Sequence, residues 1–207
     1  MLEALMPDLE AKFPEAKLQI VTNPSPSGQH SLLVDAAHAT AIAHYLRDAE
    51  HLRLDYCSNV TGIDWPAKEV KEKVTVKKLV DGEEKDVEEM RTTTVGGYLE
   101  AVYHLYSMEK KHGPLILRMR TEDRAERVHL PSLTPVWRSC DFQEREIFDL
   151  YGIVFDGHPD LRRILMWEGF EDFPMRRDYV EPDDYEYEPT AHDEVLTKTR
   201  AHYGGAA

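Results

Sequence analysis

Apolar and polar positions along this chain recur with two periods, and the period changes at recognisable breakers. Leu2, Leu5, Met6, Leu9 and Phe13 fall at helical spacing and Pro14 ends the run, which predicts an amphipathic helix. Lys17 to Val21 alternates as a strand does, Asn23 to Gly28 is a loop by composition, and Ser31 to Val34 predicts a second strand. Asp35 is placed to cap a helix that carries Ala39, Ile42, Tyr45, Leu46 and Ala49 on one side. Leu52, Leu54 and Tyr56 alternate with Arg53, Asp55 and Cys57 and predict a half-buried strand ended by Gly62, Asp64 and Pro66. Val70, Val74, Val76 and Val80 lie at even spacing, Asp81-Gly82 follows, and Val87 to Val95 returns. This predicts a hairpin with a primed turn, inserted at about 67–96. Its first arm carries Lys68, Lys71, Lys73, Lys77 and Lys78, and its second begins with Glu83, Glu84, Asp86, Glu88 and Glu89. Opposite charges facing across the ladder would add a few tenths of a kcal/mol per pair. In Tyr98 to Ser107 both alternating sets are largely apolar, which predicts a strand covered on both faces. Gly113-Pro114 predicts a turn before a strand over Leu115 to Arg120, with Leu115, Leu117 and Met119 inward. Thr134 would cap a short helix with Pro135 at its first position, burying Val136, Trp137 and Cys140.

Charge, glycine and aromatic residues are densest from Asp141 to Tyr179. Asp141 is expected to be an N-cap, with Glu144 reaching back as a capping-box acid. Glu144, Ile147, Phe148 and Tyr151 share one helical face, and Gly152 stands where a left-handed residue closes a helix. Ile153 to Phe155 is a brief apolar run, Asp156-Gly157-His158-Pro159 a turn, and Phe173-Pro174 a break before Met175 to Tyr179. Beyond it, Glu181 to Pro189 interleaves acids with tyrosine and proline and has no core periodicity, so it is expected to lie extended along a partner. The fold class expected is α+β, a mixed or antiparallel sheet with packed helices and a long extended C-terminal tail. Its parts are expected at 1–131, 132–179 (the signature helix and turn) and 180–207.

A net charge of −14 and a pI near 5.1 argue against a nucleic-acid surface and against direct adhesion to anionic lipid. Apolar runs fall short of the roughly 20 residues a membrane-spanning helix needs. Met1-Leu2-Glu3-Ala4 does not resemble a secretory signal, and Glu3, Asp8 and Glu10 contradict a mitochondrial presequence. Cys57 and Cys140 have apolar neighbours and no CxxC spacing, and are expected to be reduced core thiols. His38, His44 and His51 are not one helical turn apart, as a metal-binding pair would be.

The acids of the dense stretch (Glu144, Glu146, Asp149) are matched by Arg145, Arg162, Arg163, Arg176 and Arg177. Arginine stays charged and clamps carboxylates in pairs, so this composition points to an ion-pair network rather than to acid/base catalysis, which needs groups that change protonation. Phosphate-loop, dinucleotide-loop and nucleophile-elbow motifs are absent, and two distant cysteines cannot ligate an iron–sulfur cluster alone. No catalytic, cofactor-binding or metal-binding residue is expected.

Glu144-Arg145-Glu146, Asp149-Leu150-Tyr151-Gly152-Ile153, Phe155 and Gly157-His158-Pro159-Asp160-Leu161-Arg162-Arg163-Ile164-Leu165 resemble the signature of the 30-kDa (C-type) subunit of respiratory complex I, the proton-pumping NADH:quinone oxidoreductase. The resemblance extends to Pro131-Ser132-Leu133-Thr134, Trp137 and Arg176-Arg177-Asp178-Tyr179, and to the blocks Thr61 to Pro66 and Val102 to Leu105. Tyr151 stands where the family usually has Phe, and Met166-Trp167-Glu168 and Asp172-Phe173 depart from the residues usual around its second turn. The resemblance implies a non-catalytic subunit of the peripheral arm, on the cytoplasmic side of a bacterial inner membrane and held there by its complex. FMN and iron–sulfur clusters would sit in partner subunits, and the partners would be other hydrophilic-arm subunits, above all the large quinone-site subunit and its cluster-bearing neighbours. Glu144 and Glu146 are expected to engage Arg162, Arg163 or a neighbour's arginines, with His158-Pro159 setting the turn. The interface is expected from Glu144, Arg145, Glu146, Asp149, Gly152, Gly157, His158, Pro159, Arg162, Arg163, Arg176, Arg177, Asp178 and Tyr179. A homologous subunit of a membrane-bound hydrogenase or related dehydrogenase is the alternative within the family. A stand-alone metal-dependent hydrolase using Glu144, Glu146 and His158 is the alternative outside it.

Overall fold

A computed structural model describes residues 2–80, 83–167 and 169–180, with the backbone alone over 72–89. It divides into a unit spanning Met1–Arg177 and a second spanning Asp178–Ala207. The turn expected at Asp81-Gly82 and the tail from Glu181 lie outside the described residues.

The first unit is built on a five-stranded mixed sheet. Its strands are β1 (Leu18–Val21), β2 (Ser31–Val34), β3 (Tyr56–Trp65), β6 (Tyr98–Ser107) and β7 (His112–Arg120), in the order β1-β2-β7-β6-β3. Only β2 and β7 run parallel. Alternation sends Leu32, Val34, Val60, Leu99, Ala101, Tyr103, Leu105, Leu115, Leu117 and Met119 to one face. There they join Leu5 and Leu9 of α1 (Leu2–Lys12), Ala39, Ile42, Ala43 and Leu46 of α2 (Ala36–Asp48) and Ile147 of α3 (Asp141–Tyr151) in a single core. The expected α+β class is the observed one.

The β4 (Lys68–Val80) and β5 (Glu83–Val95) strands form the inserted hairpin. Its register continues that of β3 and β6: Trp65 faces Tyr98, two residues are skipped on each side, and Lys68 faces Val95. Gly97 makes this joint possible, because a Cβ there would lie 2.7 Å from the Ala67 nitrogen and 2.8 Å from the Trp65 oxygen. The ladder sets Lys77 opposite Asp86 and Glu72 opposite Arg91, yet Lys78 opposite Lys85, so the charges match only in part. Finally β8 (His129–Pro131) runs parallel to β9 (Val154–Asp156) and ties the end of the signature helix to the core.

Four local expectations are corrected. Leu52 and Leu54 are buried, but in the loop after α2, and the strand starts at Tyr56. Alternation reported burial there, not extension. That strand runs on through Gly62 and Asp64 to Trp65. The turn expected at Gly113-Pro114 lies at Met108–Lys111, with Lys111 at φ 58, and the Gly113-Pro114 bond (cis) falls inside β7. Thr134-Pro135 begins a turn, and the short helix after it is a 3-10 turn over Arg138–Cys140.

Candidate interface built on the signature helix

Helix α3 closes as its sequence predicts, with Gly152 at φ 78 donating its N–H to the Phe148 carbonyl. Its start differs. Cys140 is the N-cap, Asp141 is already helical, and no side chain caps the end. Glu144 does not reach back along the helix because it is drawn inward, fully buried against the sheet. Its Oε1 accepts the Tyr103 hydroxyl at 3.0 Å and the Leu133 N–H at 2.8 Å. Its Oε2 accepts Ser132 at 2.5 Å and Thr134 at 3.1 Å. Burial outweighs these four donors and pushes its pKa up. The arginine pairing expected of Glu144 is therefore replaced by hydroxyl and backbone donors, and Glu146 is exposed.

The arginines pair one helical turn and more away. Asp149, also fully buried, accepts Arg163 Nη1 at 2.7 Å on Oδ1. Its Oδ2 accepts the backbone N–H groups of Ile164, Leu165 and Met166 at 2.9, 2.7 and 2.9 Å. Burial would raise this carboxyl, but these donors win and hold it below the ordinary value. The loop 163–166 is thus wrapped around one carboxylate. Arg163 also donates to the carbonyls of Asp149 and Asp172 and lies near the rings of Phe170 and Phe173.

A second clamp joins the end of this region to the sheet. Asp64 on β3, 4% exposed, takes Arg124 in a two-point pair at 2.6 and 2.7 Å and the Arg177 backbone N–H at 2.7 Å. Against the effect of burial, these bonds lower its pKa. Arg176 donates to the Tyr151 and Arg124 carbonyls and stacks on Phe173. Phe173 in turn lies where any side chain on Gly152 would go, 2.6 Å from a Cβ placed there. The ring of Tyr151 occupies the same position over Gly62, at 2.5 Å.

The His158 corner is wired by hydrogen bonds. Gly157 sits at φ 80, and His158, with no exposed side-chain surface, accepts the Asp160 N–H on Nδ1. The proton is thereby on Nε2, which donates to the Asp141 carbonyl at 3.0 Å. Arg145 is buried under the corner, bonded to the Arg162 carbonyl and 3.6 Å from Asp160, while Arg162 itself is exposed beside Asp160. Pro159 is exposed as well. Asp178 is exposed and Tyr179 half-buried in the second unit.

Most of the expected site residues therefore converge on α3 and the loops after it. Local sequence does not single out their partners Asp64, Tyr103, Ser132, Thr134 and Arg124. Four of these stand in the blocks Thr61 to Pro66, Val102 to Leu105 and Pro131 to Thr134, so the outlying parts of the signature supply the groups that hold its centre. Over this frame large apolar side chains face solvent: Phe142 at 66%, Leu165 at 57%, Trp167 at 51% and Met175 at 53% exposed. Among the described residues no group of three or more His, Cys, Asp or Glu side chains could hold a metal ion, and no helix is long and apolar enough to cross a membrane.

The family model for the respiratory-chain NADH dehydrogenase 30 Kd subunit matches residues 32–186. A C-type subunit of the NADH-quinone oxidoreductase of Rhizobium meliloti (strain 1021) is 54% identical over 81 residues, 39% of this chain and 42% of the relative. The C-type subunit of the same enzyme from Caulobacter vibrioides is 32% identical over 178 residues, 86% of this chain and 73% of the relative. The chain spans about half the length of several curated relatives, 41–56% in three of them. The fold is shared with a chain in the structure of the membrane-bound sulfane sulfur reductase, an archaeal respiratory membrane complex. There the TM-score is 0.55 at 16% identity, covering 95% of this chain and 91% of that one. The chain belongs to the family of the respiratory-chain NADH dehydrogenase 30 Kd subunit.

Proposed function

We propose that this chain is a non-catalytic structural subunit in the peripheral arm of a proton-pumping NADH:quinone oxidoreductase. In this reading electrons pass from NADH to quinone through FMN and iron–sulfur clusters held by neighbouring subunits. The chain's task is to keep those neighbours in place against the large quinone-site subunit, and it meets the inner membrane only through them, on the cytoplasmic side. One observation carries the reading. The signature's buried acids are spent on internal bonds that fix loop 163–166 and the Arg176-Arg177 segment, and Leu165, Trp167 and Met175 in and beside these segments, with Phe142 on the first turn of α3, face the outside. Large exposed apolar side chains on a rigid support are what a protein partner covers, and their ordering cost on binding is low because the support is already ordered.

The test is a double substitution, Leu165→Asp with Trp167→Ala, in the producing cell. Both side chains are more than half exposed, so the isolated chain should keep its denaturation midpoint. The share of chain co-migrating with flavin and iron–sulfur absorbance should fall at least several-fold. Unimpaired co-migration of the variant, or a parent chain that never co-migrates, refutes the proposal.

A further inference from the structure

The five-stranded sheet has a second face, and among the described residues no helix packs on it. All three helices contribute to one core cluster with the first face, whereas Val102 and Ile116 are buried and lie outside that cluster. The register places Leu33, Ile63 and Trp65 on this same face, Ile63 and Leu33 half-buried and Trp65 39% exposed. A charged triad sits among them. Glu100, with no exposed surface, accepts Arg118 Nη1 at 2.7 Å, Arg120 Nε at 2.8 Å and the Trp65 indole N–H at 3.0 Å.

This triad is not balanced. Two guanidinium groups share one carboxylate, and the buried Nε of Arg118 has no hydrogen-bond partner among the described residues. The neighbouring His104 bonds to the Asn59 backbone and leaves its Nδ1 buried without a partner among the described residues. Arg120 reaches the edge of the face, where a cleft of about 490 Å³ runs between it, Lys17, Gln19, Leu33 and Asp35. In a chain of net charge −14, a local excess of positive charge inside an apolar surround is a directed feature. An isologous contact with a second copy would set arginines against arginines, which repel.

We propose that this helix-free sheet face is a docking site for a partner subunit that lays an acidic, partly apolar segment against Arg118 and Arg120. The assignment rests on the scaffold reading above and adds a second surface to it, on the other side of the sheet from the signature helix. An incoming carboxylate completes the pairing of the second arginine, and apolar side chains beside it cover Ile63, Val102, Ile116 and Trp65. The desolvated pair would then be specific for its partner, since a neutral or basic segment buries two guanidinium groups with a single carboxylate between them.

The experiment uses the intact complex and the free chain. Hydroxyl-radical labelling followed by peptide mass analysis reads the reactivity of Trp65 and Tyr98. Assembly should slow labelling of Trp65 at least five-fold. A photocrosslinking residue at Ile63 should form an adduct with an acid-containing peptide of a different chain of the complex. Substituting Arg120→Glu should lower the assembled fraction and leave labelling of Trp65 fast in what remains unassembled. Equal labelling of Trp65 in a complex that does contain the chain overturns this assignment alone. Adducts formed only with a second copy of the chain overturn it too. A parent chain that never co-migrates with flavin and iron–sulfur absorbance overturns the scaffold reading, and this assignment with it.

Discussion

Replacing Asp149 by Asn tests the claim that one carboxylate organises loop 163–166. The parent side chain is fully buried and accepts four N–H donors, three from backbone and one from Arg163. An amide has one acceptor oxygen. If that oxygen stays on the backbone donors, its NH2 meets the Arg163 guanidinium, donor against donor; the reverse orientation strands three backbone N–H groups. The cheaper arrangement still leaves a largely buried cation unpaired, with Arg163 only 16% exposed, which costs about 3–5 kcal/mol. Arg163→Gln is milder, because Asp149 keeps its three backbone donors and loses one charge-assisted bond, about 1.5–3 kcal/mol. In urea unfolding of the free chain, a slope of about 2 kcal/mol/M turns the Asn cost into a midpoint roughly 1.5–2.5 M lower. The effect has a pH signature. The folded carboxyl is held below its ordinary value of 3.8, so its contribution is complete above that value and fades as pH falls through the lower folded one. The gap between parent and Asn variant should therefore close below about pH 4. An Asn variant milder than Arg163→Gln, or a gap that does not change with pH, refutes the reasoning.

Gly62→Ala puts a Cβ 2.5 Å from the Tyr151 ring and should cost about 1–3 kcal/mol by lifting α3 off β3; adding Tyr151→Ala should recover part of it, read by thermal unfolding. Glu144→Gln should cost under about 1.5 kcal/mol, since Ser132 and Thr134 hydroxyls can turn to accept from an amide. Glu144→Ala strands the Tyr103 hydroxyl and the Leu133 N–H and should cost about 3–5 kcal/mol. Because burial raises the Glu144 pKa, the parent loses stability as pH rises through the folded value and the Gln variant does not, so their curves should converge toward alkaline pH. Arg163→Ala should lower the yield of assembled complex while the assembled fraction keeps nearly its full turnover; normal assembly with abolished turnover would contradict the scaffold role.

Local chemistry made much of this fold legible. The apolar positions on both faces of Tyr98 to Ser107 marked a central strand: β6 lies between β7 and β3 with Leu99 to Tyr103 all buried, although among the described residues helices cover only one of the two faces expected to be covered. Gly152 marked the end of α3 because only a residue free of Cβ strain closes a helix at φ 78 under the Phe173 ring. Where burial and extension part company, the pattern misleads: Leu52 and Leu54 alternate inside a loop because a loop can also fold over a core. The site was legible in its centre and hidden at its edges. Acids and arginines within Asp141 to Tyr179 suggested mutual pairing, but Glu144 found hydroxyls on β6 and in the segment before α3 instead. Asp64 found Arg124, 60 residues away. The Glu100 triad was invisible for the same reason, since nothing local to one charged residue in an apolar strand says which arginines stand across the ladder.

The joint at Pro66-Ala67 and Gly96-Gly97 makes the hairpin a pure extension of two strands already fixed by the sheet. Each leg of 13 residues reaches roughly 40 Å beyond it. Short of a β-bulge, length therefore changes symmetrically: a residue lost from one leg is matched in the other, or every pairing beyond it shifts by a step and swaps sides. Relatives should lengthen, shorten or drop this limb in even numbers while the body beneath stays as it is.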